Sequence, residues 1–239
     1  MNSSDKMKVV WLSAGVSSFI AGYLAKSVDK YIYIDIDNQH PDSLRFIKDC
    51  EKVLDHPIEI LKSEYGSVEN VIRKVKAVNT PYGAPCTRIL KKLVRQQWEQ
   101  EHKCDLTYVW GFDCNETKRA ERLANTMFEF THEFPLIDKG ISKEEAHGML
   151  ERLGIARPRM YDLGYSNNNC VGCVKGGMGY WNKIRKDFPE VFNNMAKLER
   201  EVGHSCIKGT FLDELEPKQG RMCDEITPEC GIACELNIQ

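Results

Sequence analysis

Lys8-Val-Val-Trp-Leu12, followed by Ser13-Ala-Gly-Val-Ser-Ser18, is the stretch on which the fold turns. The first five residues form an apolar run of strand length, and the next six are small. Val16, Phe19, Ile20, Tyr23 and Leu24 then recur at helical spacing on one face. A strand, a small-residue loop and a helix in that order predict the first unit of an α/β layer. Residues 31–36, Tyr-Ile-Tyr-Ile-Asp-Ile, supply a second β-rich run, with acidic residues arriving at Asp35 and Asp37. Further helices are expected over 43–54, 68–78 and 116–130, and further strands over 58–61, 107–110 and, at an edge, 133–137. Ser142-Lys-Glu-Glu145 reads as a capping box opening a helix to Leu153. Strands alternating with helices at this spacing imply an α/β fold, a mostly parallel sheet flanked by helices. Ligands of such sheets bind beyond the carboxyl ends of the strands, which singles out the loops 13–18, 35–41 and 111–116.

After residue 157 the texture changes. Residues 167–177, Asn-Asn-Asn-Cys-Val-Gly-Cys-Val-Lys-Gly-Gly, form a tight loop. A helix starts at Pro189, with Phe192, Met195, Leu198 and Val202 on one side. Four cysteines follow Gly203 in a segment with little apolar periodicity. The expected organisation is an α/β domain over 1–156 and a Cys-rich C-terminal extension over 157–239, packed on the sheet's ligand-binding edge.

The chain has 33 basic and 35 acidic residues, a net charge of −2, so no global positive field draws it to nucleic acid or anionic lipid. The uncharged run over 9–25 carries three serines and two glycines, too interrupted for a secretory core or a membrane span. A cytoplasmic location is expected, and there the ten cysteines speak for metal or thiol chemistry more than for a disulfide scaffold. Cys170-Val-Gly-Cys173 has the spacing for two thiolates on one metal, and equally for a redox pair. His204 and Cys206 sit at alternate positions, and nothing around them builds a nucleophile–base pair. Cys50 and Cys104 read as packing or surface residues, and Trp98 and Trp110 as core.

The 13–18 loop resembles the Ser-Gly-Gly-x-Asp-Ser PP-loop of adenine-nucleotide α-hydrolase-like enzymes, in which small residues let backbone N–H groups cradle phosphate or sulfate. Tyr33-Ile-Asp35-Ile-Asp-Asn-Gln-His40-Pro41 resembles the second-strand segment of the 3′-phosphoadenylyl sulfate (PAPS) reductase family. Cys86-Thr-Arg88-Ile-Leu-Lys91 is similar to that family's Cys-Thr-Arg-x-Leu-Lys. Gly111-Phe-Asp-Cys-Asn-Glu116-Thr-Lys-Arg119 is similar to its Gly-x-Arg-x-x-Glu-Ser-x-Arg, and Pro135-Leu-Ile-Asp138 to its Pro-Leu-x-Asp/Trp. The stretch from Tyr161 through Gly164-Tyr165 to Cys170 and Cys173 resembles Tyr-Asp-x-Gly-Tyr…Gly-Cys-x-x-Cys, and Glu229-Cys230-Gly231-Ile232 resembles the reductases' C-terminal Glu-Cys-Gly-Ile/Leu-His. The order holds over residues 8–235. The departures are Ala14 for the loop's first glycine, Ser17 for its aspartate, Cys114 near the place where the family often has arginine, Pro85-Cys86 for the Cys-Cys pair of the cluster-bearing reductases, and Ala233 for the terminal histidine.

The resemblance implies a PP-loop α/β fold and an adenine nucleotide held by Ser13, Gly15, Ser17, Ser18, Asp35, Arg88, Lys91, Gly111, Glu116 and Arg119. It implies reductive cleavage of an adenylyl sulfate, with or without a 3′-phosphate. The Cys230 thiolate attacks sulfur, AMP or its 3′-phosphate leaves, and thioredoxin or another thiol reductant releases sulfite. It also implies a [4Fe–4S] cluster, with zinc as the alternative, on Cys86, Cys170 and Cys173. The fourth ligand is carried forward as Cys234, with Cys223 and Cys230 as competitors. Two other functions stay open. One is an ATP-using Fe–S sulfurtransferase acting on nucleic acid or a small molecule, although the missing loop aspartate argues against ATP cleavage. The other is a non-catalytic nucleotide-binding module stabilised by a cluster. A homo-oligomer is compatible with all three.

Overall fold

The computed structural model describes residues 6–80 and 83–221. Its strands β1 (Lys6–Leu12), β2 (Lys30–Asp35), β3 (Ile58–Lys62), β4 (Asp105–Val109) and β5 (Thr131–Glu133) pair in parallel throughout, in the order β3-β2-β1-β4-β5. Between the strands run α1 (Val16–Leu24), α2 (Asp42–Leu54), α3 (Val68–Val75), the short α4 (Pro85–Thr87), a π-helical turn (Arg88–Lys92), α5 (Leu93–Glu101) and α6 (Thr117–Thr126). After β5 come α7 (Pro135–Asp138), α8 (Lys143–Arg152), α9 (Arg159–Asp162), α10 (Met178–Asp187) and α11 (Pro189–Val202). This is the α/β architecture expected from the sequence.

The apolar runs of the central strands are explained by burial on both faces. Val9 and Trp11 of β1, Ile32 and Ile34 of β2, and Leu106 and Tyr108 of β4 enter one core. Their neighbours Val10, Leu12, Tyr31, Tyr33 and Val109 enter the other. The second core is closed by Phe19 and Ile20 of α1, Phe46 and Cys50 of α2, and Leu136, Ala146 and Leu150 of α7 and α8. The first is closed by α3, α5 and α6 and by Trp181, Ile184, Phe192, Met195 and Leu198 of α10 and α11. Among the described residues, the stretch from 158 to 221 therefore shares the sheet's core. Each of these large side chains contributes about 1.5–3 kcal/mol by leaving water.

Several elements differ from expectation for identifiable reasons. The region 133–137 splits, because Pro135 cannot donate to a ladder and instead starts α7, leaving the strand at Thr131–Glu133. The 68–78 helix stops at Val75, where Lys76 turns left-handed. The 116–130 helix is a 3-10 turn at Cys114–Glu116 leading into α6, capped by the Asp113–Glu116 box. Helix α1 is buried all round from Val16 to Gly22, while Tyr23 of the supposed apolar face is 41% exposed. It lies between the sheet and the layer of α7 and α8, so its burial follows tertiary position. The capping box at Ser142 and the helix from Pro189 stand as read. Among the described residues no helix is long and apolar enough to cross a membrane, and the 9–25 run divides into β1, a loop and α1.

Candidate functional site

Because every strand is parallel, the loops after β1, β2 and β4 leave from one edge of the sheet. The chain steps outward from β1 to β2 and β3, then returns to place β4 on the other side of β1. The crevice of such a sheet lies at that reversal. Gly111, just after β4, presses directly on the start of α1. A Cβ there would stand 2.4 Å from Ser18 Cα, 2.5 Å from Ser18 N and 2.7 Å from Ser17 C. The glycine expected to touch nucleotide is thus required first by backbone contact.

The 13–18 loop is held by its own hydroxyls. Ser18 Oγ accepts from Ser13 N (3.0 Å), pairs with Ser13 Oγ (2.9 Å) and donates to Gly15 O (3.0 Å); Gly15 N donates to Ser13 Oγ (3.2 Å). Ala14 takes a left-handed φ of 58°, where the family pattern has glycine. Ser13 and Ser18 therefore shape the loop. Gly15 caps α1 with no side-chain bond to its first N–H groups, and the first turn holds no acidic residue. Those N–H groups and the Ser17 hydroxyl, which has no hydrogen-bond partner among the described residues, are the loop's donors toward an anion.

The cysteine loop is fastened across this edge. Asn168, 5% exposed, donates from Nδ2 to Ala14 O (2.8 Å) and to Ser43 Oγ (3.0 Å), while its buried Oδ1 has no partner among the described residues. Val171 N donates to Asn38 O (2.7 Å), and the Asn38 side chain caps α3 through Val68 N and Glu69. Lys143, at the start of α8, donates to Ser166 O and Asn167 Oδ1, both at 2.6 Å. Sequence reading missed Asn38 and Asn168. The signal on offer was a run of asparagines opening the cysteine loop, and asparagine is ordinary in loops.

Asp35, at the end of β2, lies 3.7 Å from Lys62, which also pairs with Asp37 at 2.5 Å. Burial, with the Asp35 carboxylate and the Cys170 thiol beside it, pushes the Tyr33 hydroxyl far up; it donates to Gln39 Oε1. Arg119 pairs with Glu116 at 2.5 Å and lies over the Phe112 ring at 4.4 Å. Glu116 also accepts from Asp113 N, so it serves as a helix cap, and Arg119 enters the site as half of an ion pair. Phe112 in turn stacks on Trp110 and Phe134, a rigid aromatic floor beneath that pair. Arg88 is exposed and Lys91 half-buried, on the segment joined to the end of β3 by Ser63 Oγ to Ile89 O (3.5 Å). That is two strand positions from the serine loop, about 10 Å.

Of the expected ligands, Cys173 is 6% exposed in the first core, and Cys86 and Cys170 pack against that core. Cys206 joins them there at 8% exposure, while His204 is exposed, so no Cys–His pair forms. Among the described residues no three or more His, Cys, Asp or Glu side chains are already arranged to hold a metal ion. The donor chemistry nonetheless suits a thiophilic group, since three separate segments bring soft sulfur donors to one apolar core. Cys223, Cys230 and Cys234 lie outside the described residues.

No protein-family model and no curated protein matches this sequence. Among solved structures the chain is similar to the phosphoadenylyl-sulfate (PAPS) reductase of Candida auris, a phosphate complex. The identity is 13%, the match covers 72% of this chain and 83% of that one, and the TM-score is 0.49. The fold is a five-stranded parallel sheet ordered β3-β2-β1-β4-β5 and buried on both faces, the α/β architecture implied by the PP-loop resemblance.

Proposed function

We propose that this chain is an adenine-nucleotide-binding enzyme of the PAPS reductase type, which cleaves an adenylyl sulfate to sulfite. The observation that carries this reading is the Asn168 bond to Ala14 O, which fastens the Cys-x-x-Cys loop to the serine loop at the sheet's reversal point. Sulfur chemistry and anion binding then share one edge. The uncapped N–H groups of α1 and Ser17 receive phosphate or sulfate oxygens, which takes up charge as the nucleotide leaves. Arg119, its net charge offset by Glu116, orients the anion by hydrogen bonding.

In the reaction the Cys230 thiolate attacks the sulfate sulfur. An S–S bond forms, the S–O bond to phosphate breaks, and its electron pair leaves with AMP or its 3′-phosphate. A thiol of an external dithiol then attacks Cys230 Sγ, sulfite departs with the S–S electron pair, and the reductant closes to a disulfide. Cys86, Cys170 and Cys173 would hold an iron–sulfur cluster, which would supply redox-capable chemistry to the enzyme.

The test combines binding and turnover. AMP, its 3′-phosphate and adenylyl sulfates should raise the melting temperature by mass action, and adenylyl sulfate with a dithiol should give sulfite that Cys230→Ser does not. Pyrophosphate release from ATP without sulfite formation would replace this reading with the ATP-using sulfurtransferase. No thermal shift with any adenine nucleotide would overturn nucleotide binding itself.

A further inference from the structure

The turn between Cys170 and Cys173 is clasped by one side chain. The Tyr180 hydroxyl accepts from Cys173 N (2.9 Å) and donates to Cys170 O (3.2 Å). Gly172, at φ 72°, lies so close to α10 and α11 that a Cβ would stand 2.6 Å from Val191 Cγ1 and 3.2 Å from Trp181 Cη2. The turn is thereby seated on the same two helices that lead to residue 206.

Cys206 is held against that turn from both sides of its backbone. Asn79 Nδ2 donates to Val174 O (2.9 Å) and to Cys206 O (3.1 Å), so one amide nitrogen bridges the residue after Cys173 to Cys206 itself. On the other side Cys206 N donates to Glu199 Oε1 (2.5 Å), while Glu199 Oε2 accepts from Leu212 N (2.6 Å). Glu199 is fully buried. A wholly buried carboxylate is costly unless its oxygens are occupied, and here both are occupied in fixing the loop that carries Cys206. Asn79 thus ties the end of the 170–173 turn to residue 206, and Cys173 and Cys206 are buried in the same core, against which Cys86 and Cys170 pack.

We propose that Cys206 is the fourth thiolate of a metal centre formed with Cys86, Cys170 and Cys173, in place of the C-terminal Cys234. The inference rests on the iron–sulfur reading above and supplies the ligand which the sequence motifs left open. It draws every donor from core-seated segments: the start of α4, the 170–173 turn and the loop after α11. Asn79, Tyr180 and Glu199 become positioning residues for the centre.

The experiment is metal analysis of the full chain, purified anaerobically, as wild type and as Cys206→Ser, Cys206→Ala, Cys170→Ser, Cys234→Ser and Cys50→Ser. Cys50 is a fully buried thiol in the opposite core and controls for the loss of any interior cysteine. Iron and acid-labile sulfide should approach about four per chain in wild type, Cys234→Ser and Cys50→Ser. Both should fall at least fourfold in Cys170→Ser and in both Cys206 variants. Visible absorption should fall with them, while the thermal shift given by AMP persists and shows the variants to be folded. If the Cys206 variants keep wild-type iron while Cys170→Ser and Cys234→Ser lose it, Cys206 is not a ligand and the iron–sulfur reading survives. If wild type binds neither iron nor zinc, both ideas fall.

Discussion

Replacing Gly111 by alanine tests the geometry on which the whole site depends. The added Cβ would lie 2.4 Å from Ser18 Cα, with Ser18 N and Ser17 C at 2.5 and 2.7 Å. Carbon atoms rest at about 3.5–4.0 Å, so β4 and α1 must part by about 1 Å. All three obstructing atoms are backbone, and no side chain can rotate away to relieve the contact. Overpacking of this kind costs about 1–3 kcal/mol where side chains can adjust, and a backbone obstacle puts Gly111→Ala at the upper end or beyond. For a chain of this size about 3 kcal/mol lowers the melting temperature by roughly 6–12 °C. The same displacement moves the N–H groups of α1, so affinity for AMP should fall at least about tenfold, or 1.4 kcal/mol. Gly148→Ala is the internal comparison. It lies within α8, its nearest neighbour beyond the helix backbone is the flexible tip of Arg152 at 3.5 Å, and alanine should stabilise it by about 0.5–1 kcal/mol. Calorimetry and AMP titration of both variants decide the matter. A Gly111→Ala protein that melts and binds like wild type would show that β4 and α1 do not meet as described.

Asn168→Ala removes the bonds to Ala14 O and Ser43 Oγ, and should cost about 1–3 kcal/mol by urea denaturation together with a loss of AMP affinity; unchanged affinity would disconnect the two loops. Tyr180→Phe removes the hydroxyl's bonds to Cys170 O and Cys173 N, and should lower stability by about 1–3 kcal/mol and speed metal loss to a chelator, and an unaltered chelation rate would refute the clasp. Burial raises the Glu199 carboxyl above its ordinary value of 4.5, against the pull of the Cys206 and Leu212 N–H groups. The native state therefore keeps a proton that the unfolded chain has lost. This group's contribution to stability is greatest in acid and declines as pH rises from about 4.5 through the raised native value. Glu199→Gln should remove that decline from a urea-stability profile. It should also destabilise the protein by about 1–3 kcal/mol, since the new amide NH2 faces an N–H donor; a profile with the wild-type slope would assign the pH dependence elsewhere.

Much of this molecule was legible in local pattern. The strand, small-residue loop and helix at 8–24, the capping box at Ser142 and the apolar side of the helix after Pro189 were all readable from the residues, and each stands in the fold. Those features are governed by neighbours within one or two turns, where periodicity and capping chemistry act. The motif resemblance likewise brought out the loops that share the carboxyl edge of the sheet. Tertiary structure decided what those residues do there. Ser13 and Ser18 turned out to tie the loop while Ser17 stays available. Glu116 caps a helix and pairs with Arg119. Arg88 and Lys91 stand beside β3. Asn38, Asn79, Asn168 and Glu199, unmarked in the sequence, fix the cysteine-bearing loops. The physical reason is the range of the interactions. Composition and periodicity report the preference of each segment for helix, strand or turn. Which carbonyl an asparagine amide meets 154 residues away is set by strand order and by two cores closing on either side of the sheet.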